Sequence, residues 1–228
     1  MFASARKYAR ELGLGDMPLV TYNGGLTRTA VTGHTYFHQP VELAVARGVA
    51  ELTRDLGYNL NLYVDDQLIV PELNDKTRLY VTIAGVDAHP VGDLVAYLGE
   101  DRQRRPTKML VVDEEARVQE LKRAVGERFG KDLYTVTSYP YFLEMMNLGV
   151  SKSKALDALA RGLGVAREEI LAIGDSFNDL DMLEYAGIGV AMGSAPEEVK
   201  ARADHVTGST GEGGVAAAVE RFVLGGQR

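Results

Sequence analysis

Asp175, Asn178, Asp179 and Asp181 fall within seven residues, in the string Ile173-Gly-Asp-Ser-Phe-Asn-Asp-Leu-Asp-Met-Leu183. Carboxylates this close repel one another unless positive charge sits among them. The preceding run, Ile170 to Ile173, is short and fully apolar and predicts a buried strand. Asp175 then stands two residues past the strand's carboxyl end, where open parallel α/β sheets bind their ligands. A helix beginning near Ser176 or Phe177 puts Asp179 in its first turn, facing the same place. Two hard oxygen ligands there suit Mg²⁺, which takes one or two carboxylates, several waters and a substrate phosphate. Asn178 can offer an amide N–H to a phosphate oxygen. The same residues also fit a plain helix start, where Asp is favoured for capping and dipole reasons; spacing alone leaves the two readings level. Asp181 reads as an ordinary exposed residue.

Lys152 is the second signal. The string Gly149-Val-Ser-Lys-Ser-Lys154 opens a helix after a loop. A lysine at a helix N-terminus opposes the dipole, so an anion nearby would explain it. Lys154 competes for the role, but Lys152 sits closer to the loop. Other strings are weaker. Gly187-Ile-Gly189-Val-Ala-Met-Gly193 echoes a dinucleotide fingerprint, yet its glycines cross a strand rather than a strand-to-helix turn. His34 and His38 share a strand face without an acidic or thiol partner at ligand spacing.

The elements that must position these residues follow from periodicity. From Gly149 the rhythm is α/β: helix Lys152 to Leu163, strand Ile170 to Ile173, helix from Asn178 to Tyr185, strand Gly187 to Met192, helix Pro196 to Ala203, strand His205-Val206 and helix Gly214 to Val223. Alternating buried strands and helices imply a parallel sheet. Residues 40–147 mix helices with neighbouring strands, including a hairpin turned at Asp65-Asp66, and predict an α+β unit with a largely antiparallel sheet. The first 39 residues read as a helix (Phe2, Ala5, Tyr8 and Leu12 at helical spacing), a buried strand Pro18 to Tyr22 ended at Asn23-Gly24-Gly25, and a hairpin around Thr32-Gly33.

With 228 residues, 46% hydrophobic, the chain can bury a core. Its net charge of −7 argues against a general nucleic-acid binder, which needs a basic surface. No stretch approaches the roughly 20 apolar residues of a membrane span. The absence of Cys fits a reducing compartment, and the N-terminus lacks a signal-peptide core. The expected location is cytoplasmic, with no nucleic-acid or membrane partner.

"TYNGG" at Thr21 to Gly25, the long α+β insertion, "YFLEMMNLGVSKSKAL" at Tyr141 to Leu156, "AIGDSFNDLDML" at Ala172 to Leu183 and "GVAMGSAPEEVKARADHVT" at Gly189 to Thr207 together resemble the haloacid dehalogenase superfamily. The subclass is similar to IIB, the Cof-type phosphatases. The resemblance implies a Rossmann-like core with helices on both faces, residues 1–39 and 148–228, and an inserted C2-type cap, residues 40–147. It implies Mg²⁺-dependent hydrolysis of small phosphorylated metabolites such as sugar phosphates, through an aspartyl-phosphate. By motif match Lys152 would neutralise nucleophile and phosphate, Asp175 would ligate Mg²⁺ with Asp179 as supporting carboxylate, and Asn178 and Asn23 would be phosphate-side contacts.

The family's first motif, Asp-x-Asp-x-Thr/Val, does not occur in these 228 residues. The expectation is that a strand–helix–strand unit, roughly 30 or more residues, belongs ahead of the first helix, through truncation or a misplaced start. The alternative is an inactive phospho-ligand-binding, metal-binding or regulatory protein. Either way the core strands flanking the gap would be open to self-association.

Overall fold

Strands with apolar residues at every position need cover on both faces, because successive side chains point to opposite sides. The chain has such strands. The computed structural model describes residues 1–225. The chain divides into two compact units, Met1–Val150 and Ser151–Arg228.

In the first unit, helix α1 (Phe2–Glu11) leads to strands β1 (Pro18–Thr21), β2 (Leu26–Thr29) and β3 (Thr35–His38), an antiparallel meander. Then come α2 (Leu43–Asp55), β4 (Leu60–Val64), β5 (Gln67–Val70), α3 (Asp75–Ala84), β6 (Ala88–Pro90), α4 (Leu94–Glu100), β7 (Lys108–Val112), α5 (Glu115–Phe129), β8 (Leu133–Tyr139) and β9 (Phe142–Asn147). These strands form a six-stranded sheet in the order β6-β5-β4-β7-β9-β8. Only β5–β6 pairs in parallel, so the largely antiparallel expectation holds.

The period of two sorts the sheet's side chains. Leu60, Leu62, Met109, Val111, Leu143 and Met145 meet Val49, Leu98, Val118, Leu121 and Val125 of α2, α4 and α5. Tyr63, Leu68, Leu110, Val112 and Phe142 project the other way and meet Phe2, Tyr22, Leu26 and Tyr80. β4 and β7 are consequently buried along their whole length. Asp65 and Asp66 both take positive φ (50° and 63°) in the two-residue turn between β4 and β5, a hairpin geometry that tolerates Asp. Asp66 then accepts the Phe2 and Ala3 backbone N–H groups at 2.9 and 2.7 Å and the Tyr22 hydroxyl at 2.6 Å. A carboxylate at that position caps α1 and complements its dipole.

In the second unit, α6 (Lys152–Leu163) precedes β10 (Leu171–Gly174), α7 (Leu180–Tyr185), β11 (Ile188–Ala191), α8 (Glu197–Lys200), β12 (His205–Val206) and α9 (Gly214–Phe222). β10, β11 and β12 pair in parallel in that order, as the alternating rhythm predicts. The core is built of small side chains, Ala172, Ala186, Ala191 and Ala195, with Leu183 and Val199. Two glycines let the layers close up. A Cβ on Gly189 would lie 2.3 Å from the Leu183 carbonyl oxygen, and one on Gly187 would lie 2.6 Å from that of Glu168. The glycines of the dinucleotide-like string therefore serve packing. Among the described residues, no helix is long and apolar enough to cross a membrane.

Leu121 is fully buried and Leu79 is half exposed. Leu121→Ala should destabilise the protein by about 2–5 kcal/mol, and Leu79→Ala by less than about 0.5 kcal/mol, in urea unfolding. Equal costs would contradict the placement of the core.

Candidate active site

β10 ends at Gly174, and a short 3₁₀ turn over Phe177–Asp179 carries the chain into α7. The four acidic-string residues that the sequence singles out lie on this connection and at the start of α7. Their environments differ sharply.

Asp179 is buried. Its Oδ1 accepts a hydrogen bond from Lys152 Nζ, and the two form a close ion pair. Its Oδ2 accepts the backbone N–H groups of Asp175 (3.0 Å) and Ser176 (3.1 Å) and the Ser176 hydroxyl (3.1 Å). Three of these four donors crowd Oδ2, while Oδ1 is turned to Lys152. Burial by itself would raise its pKa. The Lys152 hydrogen bond and charge, with the two backbone donors, outweigh burial and hold it below the usual carboxylate range.

Asp175 is exposed, and its side chain makes no hydrogen bond or ion pair among the described residues. Only its backbone is held, by Asp179. Asn178 is half-buried, and its Oδ1 accepts a hydrogen bond from Ser176 Oγ. Lys152, first residue of α6, has a side chain only one quarter exposed, whereas Lys154 is exposed. The choice between the two lysines thus falls to Lys152. The anion that its position at a helix start calls for is the protein's own Asp179.

Two residues that sequence reasoning passed over shape this loop, and a third departs from its expected role. Ser176 bonds both Asp179 and Asn178; its signal was the string Ser176-Phe-Asn-Asp179, a Ser/Thr-x-x-acid helix-start pattern. Gly174 makes room for Asp179: a Cβ there would lie 2.5 Å from the Asp179 Cβ. Asp181 is half-buried rather than an ordinary exposed residue, because its carboxylate accepts the Ser153 N–H at 2.9 Å.

Asn23 belongs to the first unit. It takes φ 54° and ψ 29°, and its Nδ2 reaches Glu144 Oε2 at 3.5 Å and Met146 Sδ at 3.8 Å. Tyr22 beside it also has φ 54°, so two consecutive non-glycine residues sit in the left-handed region. Such backbone costs of order 1–3 kcal/mol per residue and clusters at functional positions.

The donor set can be tested against a cation. No group of three or more His, Cys, Asp or Glu side chains able to hold a metal occurs among the described residues. One open carboxylate, Asp175, stands beside a lysine and a carboxylate already neutralised. Mg²⁺ accepts such a set, since it keeps waters and binds through one or two carboxylates plus phosphate. A zinc or calcium cage, with its fuller protein ligand sets, does not fit.

A sequence profile of haloacid dehalogenase-like hydrolases matches residues 1–219. A Haemophilus influenzae protein is 33% identical over 162 residues, 71% of this chain and 59% of its own length, so the chain spans less than two thirds of that relative. The 5-amino-6-(5-phospho-D-ribitylamino)uracil phosphatase YitU of Bacillus subtilis is 27% identical over 225 residues, 97% of this chain and 81% of that protein. A crystal structure from Thermotoga maritima superposes with a TM-score of 0.87 at 30% identity, covering 97% of this chain and 82% of that one.

Two outcomes check the geometry. Gly174→Ala should displace Asp179 and destabilise the protein by about 1–3 kcal/mol, read in urea unfolding of the second unit; an unchanged midpoint would contradict the close approach. Because the Asp179 pKa is lower folded than unfolded, its contribution to stability is present above about pH 4 and lost as pH falls through the depressed value. Lys152→Met should therefore flatten the acid limb of stability against pH. An acid limb identical to that of the unmutated protein would show that the pair is not formed.

Proposed function

Since the chain belongs to the haloacid dehalogenase-like hydrolase family, we propose that Lys152, Asp175, Asn178 and Asp179 are the cation and phosphate side of a phosphomonoester hydrolase site. The observation that carries this is the split between two neighbouring carboxylates. Asp179 is buried and accepts from four protein donors, while the Asp175 side chain is exposed. A plain helix start explains the first and not the second.

The roles follow from the donors each residue has left. Lys152 Nζ has three N–H donors and spends one on Asp179. The others can reach a phosphate oxygen and neutralise its charge. Asp175 would hold Mg²⁺, and Asp179 supports it indirectly by gripping its backbone N–H. Asn178 lies on the same connection, its Oδ1 accepting a hydrogen bond from Ser176 Oγ, and is proposed as a phosphate-side contact. Mg²⁺, when bound, supplies charge neutralisation on the phosphoryl oxygens. Phosphoryl transfer asks little more of a protein than positioning and charge neutralisation.

The nucleophile of this reading is the first carboxylate of an Asp-x-Asp-x-Thr/Val string, which is not among these 228 residues. Its attack on phosphorus would form an aspartyl-phosphate as the ester P–O bond breaks, the string's second Asp protonating the departing alcohol; water, deprotonated by that same Asp, would then attack phosphorus, releasing inorganic phosphate and regenerating the carboxylate. The substrate class is a small phosphorylated metabolite, a sugar phosphate or a relative of one. Support comes from the Bacillus subtilis relative, whose name places it on a phosphorylated ribityl compound. Asn23, held in strained backbone, is proposed as a substrate-side contact.

The test is binding followed by turnover. Mn²⁺ relaxation and phosphate titration should show weak cation binding that Asp175→Asn reduces at least about tenfold. With para-nitrophenyl phosphate or sugar phosphates in Mg²⁺, these 228 residues should give no turnover. Adding a segment with the Asp-x-Asp string should produce hydrolysis that Asp175→Ala abolishes. Cation affinity indifferent to Asp175→Asn would sink the assignment.

A further inference from the structure

Asp181 lies on α7, beyond the loop that carries Asp175, Asn178 and Asp179. Its carboxylate ends on α6, where Oδ2 accepts the Ser153 backbone N–H at 2.9 Å. Ser153 is the second residue of α6, directly after Lys152. The first N–H groups of a helix have no partner within it. Here Ser151 Oγ takes that of Lys154 at 3.1 Å, and Asp181 takes that of Ser153. The helix end that presents Lys152 is thus closed by one side chain of its own and one from α7.

A second rung lies one turn along. The Tyr185 hydroxyl donates to Asp157 Oδ1 at 2.9 Å. Asp181 and Tyr185 are four residues apart on α7, as are Ser153 and Asp157 on α6, so each pair shares one helix face. Arg161 holds Asp157 in place from the same helix at 2.9 Å. Two rungs fix register where one would leave a pivot. Register matters here, because a slip of one residue moves a helical side chain about 1.5 Å along the axis and about 100° around it. Lys152 would then miss Asp179, which stands immediately before α7. Charge points the same way. Lys152 opens α6 against the dipole, and the Asp181 carboxylate at that end offsets the conflict.

We propose that Asp181, backed by Tyr185, is a positioning residue for Lys152, setting α6 along α7 so that the lysine reaches Asp179. The functional weight of this rests on Lys152 being the phosphate-side lysine proposed above; the positioning itself does not.

The experiment labels the full chain with N-acetoxysuccinimide at one pH and reads Lys152 acetylation against exposed Lys154 by peptide mass spectrometry. Asp181→Ala should raise the Lys152 to Lys154 rate ratio at least about threefold. Asp181→Asn keeps an oxygen that accepts the Ser153 N–H and should stay near the unmutated ratio. Val199→Ala, a fully buried α8 site outside both rungs, loosens the apolar cluster around Leu183 without touching either hydrogen bond and should leave the ratio unchanged. Tyr185→Phe removes only the second rung and carries the test if Asp181→Ala does not fold; it should raise the ratio too. A flat ratio in the folded clamp variants, or an equal rise in Val199→Ala, overturns the proposal. Labelling needs no ligand, so failure to bind phosphate would sink the functional reading alone.

Discussion

A buried carboxylate is tolerated only when its charge is paired and its lone pairs are filled. Asp179 meets both conditions through Lys152, two backbone N–H groups and the Ser176 hydroxyl. The second unit is arranged around that requirement. Gly174 has no side chain because Asp179 occupies the space. The chain turns through a 3₁₀ segment at Phe177–Asp179, so that the carboxylate folds back under the strand end. α6 must begin where it does for its first residue to reach inward. Removing one partner of a fully buried pair costs about 3–5 kcal/mol; Lys152 keeps a quarter of its side chain exposed, so the cost here is smaller.

From that pairing follows a division of labour. Asp179 accepts four protein donors, and its grip on the Asp175 backbone N–H leaves the Asp175 side chain exposed. Lys152 neutralises Asp179 with one of its three N–H donors.

The sequence exposed what periodicity and residue type encode. The parallel run of β10, β11 and β12 and the two-faced burial of β4 and β7 follow from apolar patterns long enough to be read. β6 escaped because Ala88–Pro90 is three residues with no alternation; its proline is admissible because β6 lies at the sheet's edge. α4 is hard to read from periodicity, since it spans just Leu94–Glu100, two turns capped by Asp93. In the site, Asp175 and Lys152 were legible as types in suggestive places. That Asp179 would accept four protein donors, and that Asp181 would reach across to α6, depends on how two helices pack. No local spacing carries that information.

The account stands on the Lys152–Asp179 pair, and a double-mutant cycle measures it most directly. Lys152→Met, Asp179→Asn and the double variant would be compared by urea unfolding of the second unit at pH 7. The predicted coupling energy is about 1–3 kcal/mol. Costs that add to within about 0.5 kcal/mol would mean the two residues act independently, and the arrangement described around Asp179 would be wrong.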